Sequence, residues 1–277
     1  MSKGRILFTG SGGFVGSQLV PLLERDGWEI IRPRSKEVRL DDEEEVDTLF
    51  KHGEYNAIIH AAIVGGRRGV EDTEKVFMTN MLMFENIFRH VEKCGLFINL
   101  DSGASLGRPP LSEEPNSWDL GKKVPADPYG FSKYCIAQRV LSHRKGRNLR
   151  IWGCFGPNET QSRFFKTNIK NYIRRKDIVI HQDMKMDFIY SEDLHQIINY
   201  YLTSGDNINI KDFNCVYYEK YYLSEIAKMI NSLDDYKVNI NIEGSDPEDS
   251  YCGAPYSIGL TYEGLEQGIR ECWSQWK

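Results

Sequence analysis

Long apolar runs are missing from this 277-residue chain, and with them the roughly 20 consecutive hydrophobic residues that a membrane-crossing helix needs. Lys3 and Arg5 flank an apolar stretch too short for a secretory leader and broken at once by glycines, so a cytoplasmic location is expected. Paired cysteine spacing is absent too. Cys94, Cys135, Cys154, Cys215, Cys252 and Cys272 are scattered, which argues against a zinc site or a disulfide framework and reads as small core residues. An excess of basic charge is also lacking: the formal net charge of −5 argues against a general nucleic-acid binder while leaving room for a local basic pocket. No internal repeat, low-complexity segment or Pro/Ser linker divides the chain. What remains is an ordinary globular composition, 40% hydrophobic and 27% charged, long enough for one large core or for a nucleotide domain with a smaller lobe.

The most informative stretch is Leu7-Phe8-Thr9-Gly10-Ser11-Gly12-Gly13-Phe14-Val15-Gly16, which sets Gly10, Gly13 and Gly16 three apart between an apolar run and a helix. Where backbone must pass close to a pyrophosphate, side chains are excluded and the first helical amides face the negative charge. Such a triplet alone also serves turns of purely conformational origin. Here an apolar strand precedes it, the amphipathic Ser17–Arg25 segment follows, and Trp28-Glu29-Ile30-Ile31 stands where a βαβ unit needs its second strand.

Strand and helix patterns alternate through the first two thirds, as in a doubly wound parallel sheet. Strands are predicted at Ile6–Phe8, Glu29–Ile31, Ala57–His60, Leu96–Leu100 and Arg150–Trp152. Helices are predicted over Glu43–Lys51 and Glu74–Glu92, and from near Tyr129 to Leu141 after the start signal Asp127-Pro128. Beyond Gly156-Pro157 the alternation weakens into a helix at Phe164–Arg175, a run at Ile178–Ile180, a helix from Ser191 through Tyr200, and helices near Leu223–Ile230 and Tyr262–Cys272. The expectation is an α/β chain: a Rossmann-type doubly wound parallel sheet over residues 1–156 and a smaller mixed C-terminal substrate lobe over 157–277, partly discontinuous, with some segments returning to the sheet.

Tyr129 and Lys133, four residues apart in Asp127-Pro128-Tyr129-Gly130-Phe131-Ser132-Lys133, share one helix face. A neighbouring ammonium favours phenolate and brings a tyrosine toward acid-base work near neutral pH. The alternative is a Tyr and a Lys decorating an exposed helix. Upstream, Asp101-Ser102-Gly103-Ala104-Ser105 closes the apolar strand and puts hydroxyls where open α/β sheets bind ligands.

With glycine turn, strand-end serine and Tyr-x-x-x-Lys in this order, residues 4 to 200 resemble the extended short-chain dehydrogenase/reductase family, specifically its nucleotide-sugar epimerases and reductases. Further matches are His60-Ala61-Ala62, Asn80, Phe155-Gly156-Pro157 and Asp187-Phe188-Ile189-Tyr190-Ser191-Glu192-Asp193-Leu194; the run Ala61–Gly66 looks most like the GDP-fucose synthase branch. The resemblance implies that Tyr129 donates the proton to a sugar carbonyl, Lys133 tunes it and Ser102 holds the same oxygen. It implies cofactor contacts from Gly10, Gly13, Phe14, Val15, Gly16, Ala61, Ala62, Ile63, Asn80, Tyr129, Lys133 and Phe155. It also implies a homodimer joined through the Glu74–Glu92 and Tyr129–Leu141 helices, although apolar stripes at that spacing equally suit a monomer core.

Departures from the family narrow the chemistry. Ser102 is followed by Gly103-Ala104, without the Asp-Glu pair of its dehydratases, and Ala104 replaces the cysteine with which GDP-fucose synthases epimerise. Their histidine partner is missing from Asn158–Lys166 as well, which leaves a plain ketoreductase. At the end of the second strand, Arg32-Pro33-Arg34-Ser35-Lys36 replaces the acidic residue that accepts from the ribose of NAD. Arg32, Arg34 and Ser35 suit the 2′-phosphate of NADP, the alternative being a solvated basic loop. Asp41 is a candidate adenine contact. Candidate substrate contacts are Ser105, Arg67, Arg68, Arg163, Lys166 and Lys185. Gly153 stands where relatives usually have an asparagine, and Met186 where they have an arginine.

The leading expectation is an NADPH-dependent reductase of a 4-keto nucleotide-activated deoxy sugar, with a GDP-linked sugar favoured and no metal, nucleic acid or membrane partner. An NAD-dependent 4-epimerase or 4-dehydrogenase and a non-catalytic dinucleotide-binding protein on the same fold are the alternatives.

Overall fold

Alternate side chains of a strand point to opposite faces, so a central strand buried on both faces needs two sets of apolar partners. The computed structural model describes residues 3–51, 53–67, 70–204, 208–244 and 250–277. Its first part runs β1 (Gly4–Thr9), α1 (Phe14–Arg25), β2 (Trp28–Ile31), α2 (Glu43–Leu49), β3 (Tyr55–His60), α3 (Glu74–Phe88), β4 (Cys94–Ser102), α4 (Pro128–Leu141) and β5 (Gly146–Ile151). It continues with β6 (Cys154–Phe155), α5 (Phe164–Ile173), β7 (Ile178–Ile180), β8 (Ile189–Tyr190), α6 (Ser191–Ser204), β9 (Asp212–Cys215), α7 (Leu223–Ile230), β10 (Ile240–Ile242) and α8 (Leu265–Trp276).

Six strands form one parallel sheet in the order β2-β1-β3-β4-β5-β9. The chain steps from β1 to β2 on one side and returns to β3 on the other, so strand order reverses between the carboxyl ends of β1 and β3. Open α/β sheets bind ligands at that crevice. Ile6, Phe8, Ala57, Ile59, Ile98 and Leu100 face α1 and α6, and their apolar cluster continues through Phe165, Tyr172, Ile226 and Trp276 in residues 157–277. Leu7, Ile58 and Phe97 face the other way, onto Val46 of α2, Phe84, Ile87 and Phe88 of α3, and Ile136 and Val140 of α4. Two small parallel sheets, β6-β8 and β7-β10, lie beyond β5.

The expected doubly wound parallel sheet is present. Several boundaries differ from expectation, among them those of α3, β5 and α8. α3 ends at Phe88, with a separate short 3-10 turn at Val91–Lys93. β5 lies upstream of its expected place because its buried polar residues hide it, and the C-terminal helix starts at Leu265. At α4, Pro128 occupies the first turn and the Asp127 carboxylate accepts from the Gly130 amide at 2.7 Å, so the expected start holds to one residue.

Candidate active site

The glycine turn follows β1 directly. Gly10 sits at φ 72°, and a Cβ there would lie 2.5 Å from the Ala61 backbone; at Gly16 it would lie 2.5 Å from the Gly10 carbonyl oxygen. Only glycine fits either place. Exposed Gly13 opens α1 without any side-chain cap on the first-turn amides, and the first intrahelical bond runs from Ser17 to the Gly13 carbonyl at 2.9 Å. The amides of Phe14, Val15 and Gly16 thus head a helix N-terminus at the switch point, a place suited to a pyrophosphate. Across the crevice, Ala61 donates to the Thr9 carbonyl at 3.2 Å, leading into Ala62 and Ile63.

Two expected cofactor contacts need correction. Asn80 is fully buried; its amide donates to the Val64 carbonyl at 3.1 Å and to Ser132 Oγ at 3.0 Å, and accepts from the Val64 amide at 2.8 Å. It fastens the loop after β3 and has no group left for a dinucleotide. Phe155 is buried too, stacked on Phe165 at 4.1 Å, so its ring belongs to the core. At the end of β2, Arg32 pairs with Glu24 at 3.1 Å, while Arg34 and Ser35 are exposed. Asp41 is exposed and 4.0 Å from Arg39.

β4 delivers Ser102, and the first turn of α4 delivers Tyr129, close enough for the Ser102 hydroxyl to bear on the Tyr129 phenol. Burial raises the proton affinity of Tyr129 above the ordinary tyrosine value and the Tyr251 phenol adds to this, while the Ser102 hydroxyl and the Arg108 guanidinium pull the other way. Lys133, one turn along α4, is buried and donates to the Leu100 carbonyl at 2.7 Å. Burial lowers its pKa to about 8, opposed by the Asp101 carboxylate. The neighbours that bear most on Tyr129 are thus Tyr251, Ser102 and Arg108, with the Lys133 ammonium turned to the Leu100 carbonyl. Beneath the site His60 accepts or donates through Nδ1 to Thr9 Oγ1 at 3.0 Å, and burial followed by the Lys133 charge lowers its pKa to about 3, which keeps the ring neutral.

Gly66, at φ 71°, lies so close over Tyr129 that a Cβ would meet the ring at 2.6 Å, and its amide donates to the Asp72 carboxylate at 2.9 Å. Arg67 follows it on the exposed side; Arg68 is outside the described residues.

The expected substrate residues do not converge. Ser105 is fully buried, donates to Asp101 at 2.7 Å and accepts from Arg150 at 3.1 Å, so it is a core hydroxyl. Arg163 pairs with Glu159 at 2.9 Å and stacks on Phe14 at 4.2 Å, which puts it beside the glycine turn. The Lys166 ammonium lies 3.9 Å over the Trp276 ring, and that of Lys185 lies 5.5 Å over Tyr222. Gly153 leaves no room for a larger residue, since a Cβ would stand 2.5 Å from the Asp187 carbonyl.

Two residues beside Ser102 escaped the sequence reading. The Tyr251 hydroxyl is 3.4 Å from Ser102 Oγ, and the Arg108 guanidinium lies over both the Tyr129 and the Tyr251 rings, at 5.4 and 5.8 Å. Neither sits in a motif.

A glycine turn at the switch point of an open parallel sheet, with Ser102, Tyr129 and Lys133 gathered at the neighbouring strand end, defines a dinucleotide-binding type of α/β protein. The chain belongs to the NAD dependent epimerase/dehydratase family, which it matches over residues 6–215. It is similar to the GDP-L-colitose synthase of Yersinia pseudotuberculosis, 25% identical over 266 residues that cover 88% of this chain and 86% of that one. Among solved structures it superposes on a GDP-mannoheptose C4 reductase from Campylobacter jejuni with NADP bound, at TM-score 0.80 and 15% identity, covering 100% of this chain and 99% of that one. A GDP-L-fucose synthetase from Naegleria fowleri bound to NADP gives TM-score 0.78 at 16% identity, covering 100% and 93%. At these identities the solved structures speak for the fold.

Proposed function

We propose that the protein is an NADPH-dependent reductase that converts a 4-keto, GDP-linked deoxy sugar to the 4-hydroxy sugar without epimerisation. The observation that carries this reading is the gathering of Ser102, Tyr129 and buried Lys133 at the carboxyl end of β4, beside the glycine turn. The chemistry a bound dinucleotide supplies here is hydride transfer. Gly10, Gly13 and the first amides of α1 would hold its pyrophosphate, Ala61–Ile63 would line the crevice, and Arg34 and Ser35, with Arg32 released from Glu24, would meet a 2′-phosphate. Ser102 donates to the ketone oxygen and orients it. Tyr129 gives its proton to that oxygen as alkoxide charge develops, and the buried Lys133 ammonium stabilises the phenolate left behind.

Ala104 is fully buried and carries no acid-base group, which supports reduction without inversion. The GDP-L-colitose synthase relative supports a GDP-linked substrate. The segments over 157–277 would hold the nucleotide. In assays with NADPH and 4-keto nucleotide sugars, Tyr129→Phe lowers turnover at least about 100-fold while NADPH affinity stays within twofold of wild type, on the scale of a lost general acid. Turnover that survives the substitution overturns the role of Tyr129, and preference for NADH overturns that of Arg34.

A further inference from the structure

We propose that Tyr251 is a substrate-contacting, specificity-determining residue of this site, recognising a hydroxyl on the carbon next to the keto carbon. The inference rests on the nucleotide-sugar reading above.

Ser102 is flanked by two phenols, Tyr129 and Tyr251, and the contact to Tyr251 is long at 3.4 Å. A carbonyl oxygen has two lone pairs, and Ser102 with Tyr129 fills both. The Tyr251 hydroxyl, toward whose oxygen the Arg108 guanidinium donates, keeps its own proton to give beside Ser102, where the next oxygen on the ring would lie. In a pyranose reduced at C4, C5 bears the ring oxygen, so the adjacent hydroxyl is the one on C3.

Tyr251 is held in place ahead of any ligand. Its amide donates to the Lys185 carbonyl at 2.8 Å, its carbonyl accepts from the Asp187 amide at 3.1 Å, and the Gly253 amide donates to the Asp187 carboxylate at 2.8 Å. Lys220 fixes that carboxylate at 2.7 Å, both side chains being buried. The Tyr251 ring stands edge-on to Trp152 at 4.8 Å, and Trp152 is wedged between Gly103 and Gly253, where added Cβ atoms would approach it to 2.4 and 2.3 Å. A hydroxyl on such a rigid support discriminates through the donor it leaves unpaired when its partner is missing.

The test is calorimetric titration of the full chain, saturated with NADP, with GDP, GDP-fucose and the 3-deoxy analogue of GDP-fucose. Wild type is expected to bind GDP-fucose about tenfold more tightly than the 3-deoxy analogue, the scale of one hydrogen bond. Tyr251→Phe, which keeps the ring on Trp152, is expected to erase that ratio and leave GDP and NADPH affinities unchanged; Tyr251→Met is the second variant should the first melt early. A ratio that persists in the variants, or is absent from wild type, overturns the role of Tyr251 alone. Failure of wild type to bind GDP or either sugar overturns the nucleotide-sugar reading and the inference with it.

Discussion

Lys133 concentrates the electrostatics of the site in one buried ammonium. Burial outweighs the attraction of Asp101 and brings its pKa down to about 8. Below that pH it is charged and stabilises the phenolate that forms as Tyr129 gives up its proton; above it the stabilisation is lost. The value of kcat/KM for ketone reduction is therefore expected to fall as pH rises through about 8, and Lys133→Met to remove this alkaline limb along with most of the rate. A wild-type profile level from neutrality to well above pH 8 would show that the ammonium is not needed. Lys133 and Tyr129 were legible because helical periodicity fixes what four residues of spacing means, and Ser102 because a strand end has a defined place in the sheet. Tyr251 was not, being 149 residues from Ser102 in sequence, on a segment without periodicity. Ser105, Asn80 and Phe155 were legible as residues near the site, but which hydroxyl or ring is spent on the interior depends on partners from other elements.

Strands β4, β5 and β9 show why one element was displaced in the sequence reading. Asn99 stands beside Asn148, and Asn148 beside Asp212; two residues along, Asp101 stands beside Arg150, and Arg150 beside Asn214. The central strand of this ladder, Gly146-Arg147-Asn148-Leu149-Arg150-Ile151, is buried yet half polar, so no apolar pattern marks it. Many of the ladder's polar groups pair with one another, while Asn99 Oδ1 and Asp101 Oδ1 are buried without a hydrogen-bond partner among the described residues. Arg150 donates to Asp101 at 2.9 Å and pairs with Asp212 at 3.0 Å, and Asn99 donates to Asn148 at 2.9 Å. The ladder locks β9, which arrives from late in the chain, onto the sheet edge, and it sets Asp101 under Ser102 and Lys133. Arg150→Met is expected to destabilise the fold by about 3–5 kcal/mol, because two carboxylates lose a buried cation. Denaturant unfolding measures this directly; a loss below 1 kcal/mol, roughly the worth of an exposed pair, would mean the ladder is not what holds β9.

The whole molecule presents one face at odds with water. A helix packed against a sheet normally turns polar residues outward, yet α3 exposes Met78 and Leu82, at 57% and 47%, while Phe84, Ile87 and Phe88 fill its inner face. Phe131 of α4 is exposed beside them, its ring stacked on Phe77 at 5.0 Å, and Val124 extends the patch. These side chains lie on adjacent helices that pack together, so a twofold axis through the patch would bring four helices into contact and remove the apolar surface from both copies. On this argument the protein is expected to sediment as a dimer. Met78→Lys combined with Leu82→Lys costs the monomer little, since both positions already face solvent, but places two charges per copy in the contact and converts the dimer to monomer. The variant is expected to keep its melting temperature at low protein concentration and its NADPH affinity, because the glycine turn and Tyr129 lie at the carboxyl edge of the sheet. A wild-type chain that sediments as a monomer at high concentration, or a double variant that still pairs, would leave this face without its twin.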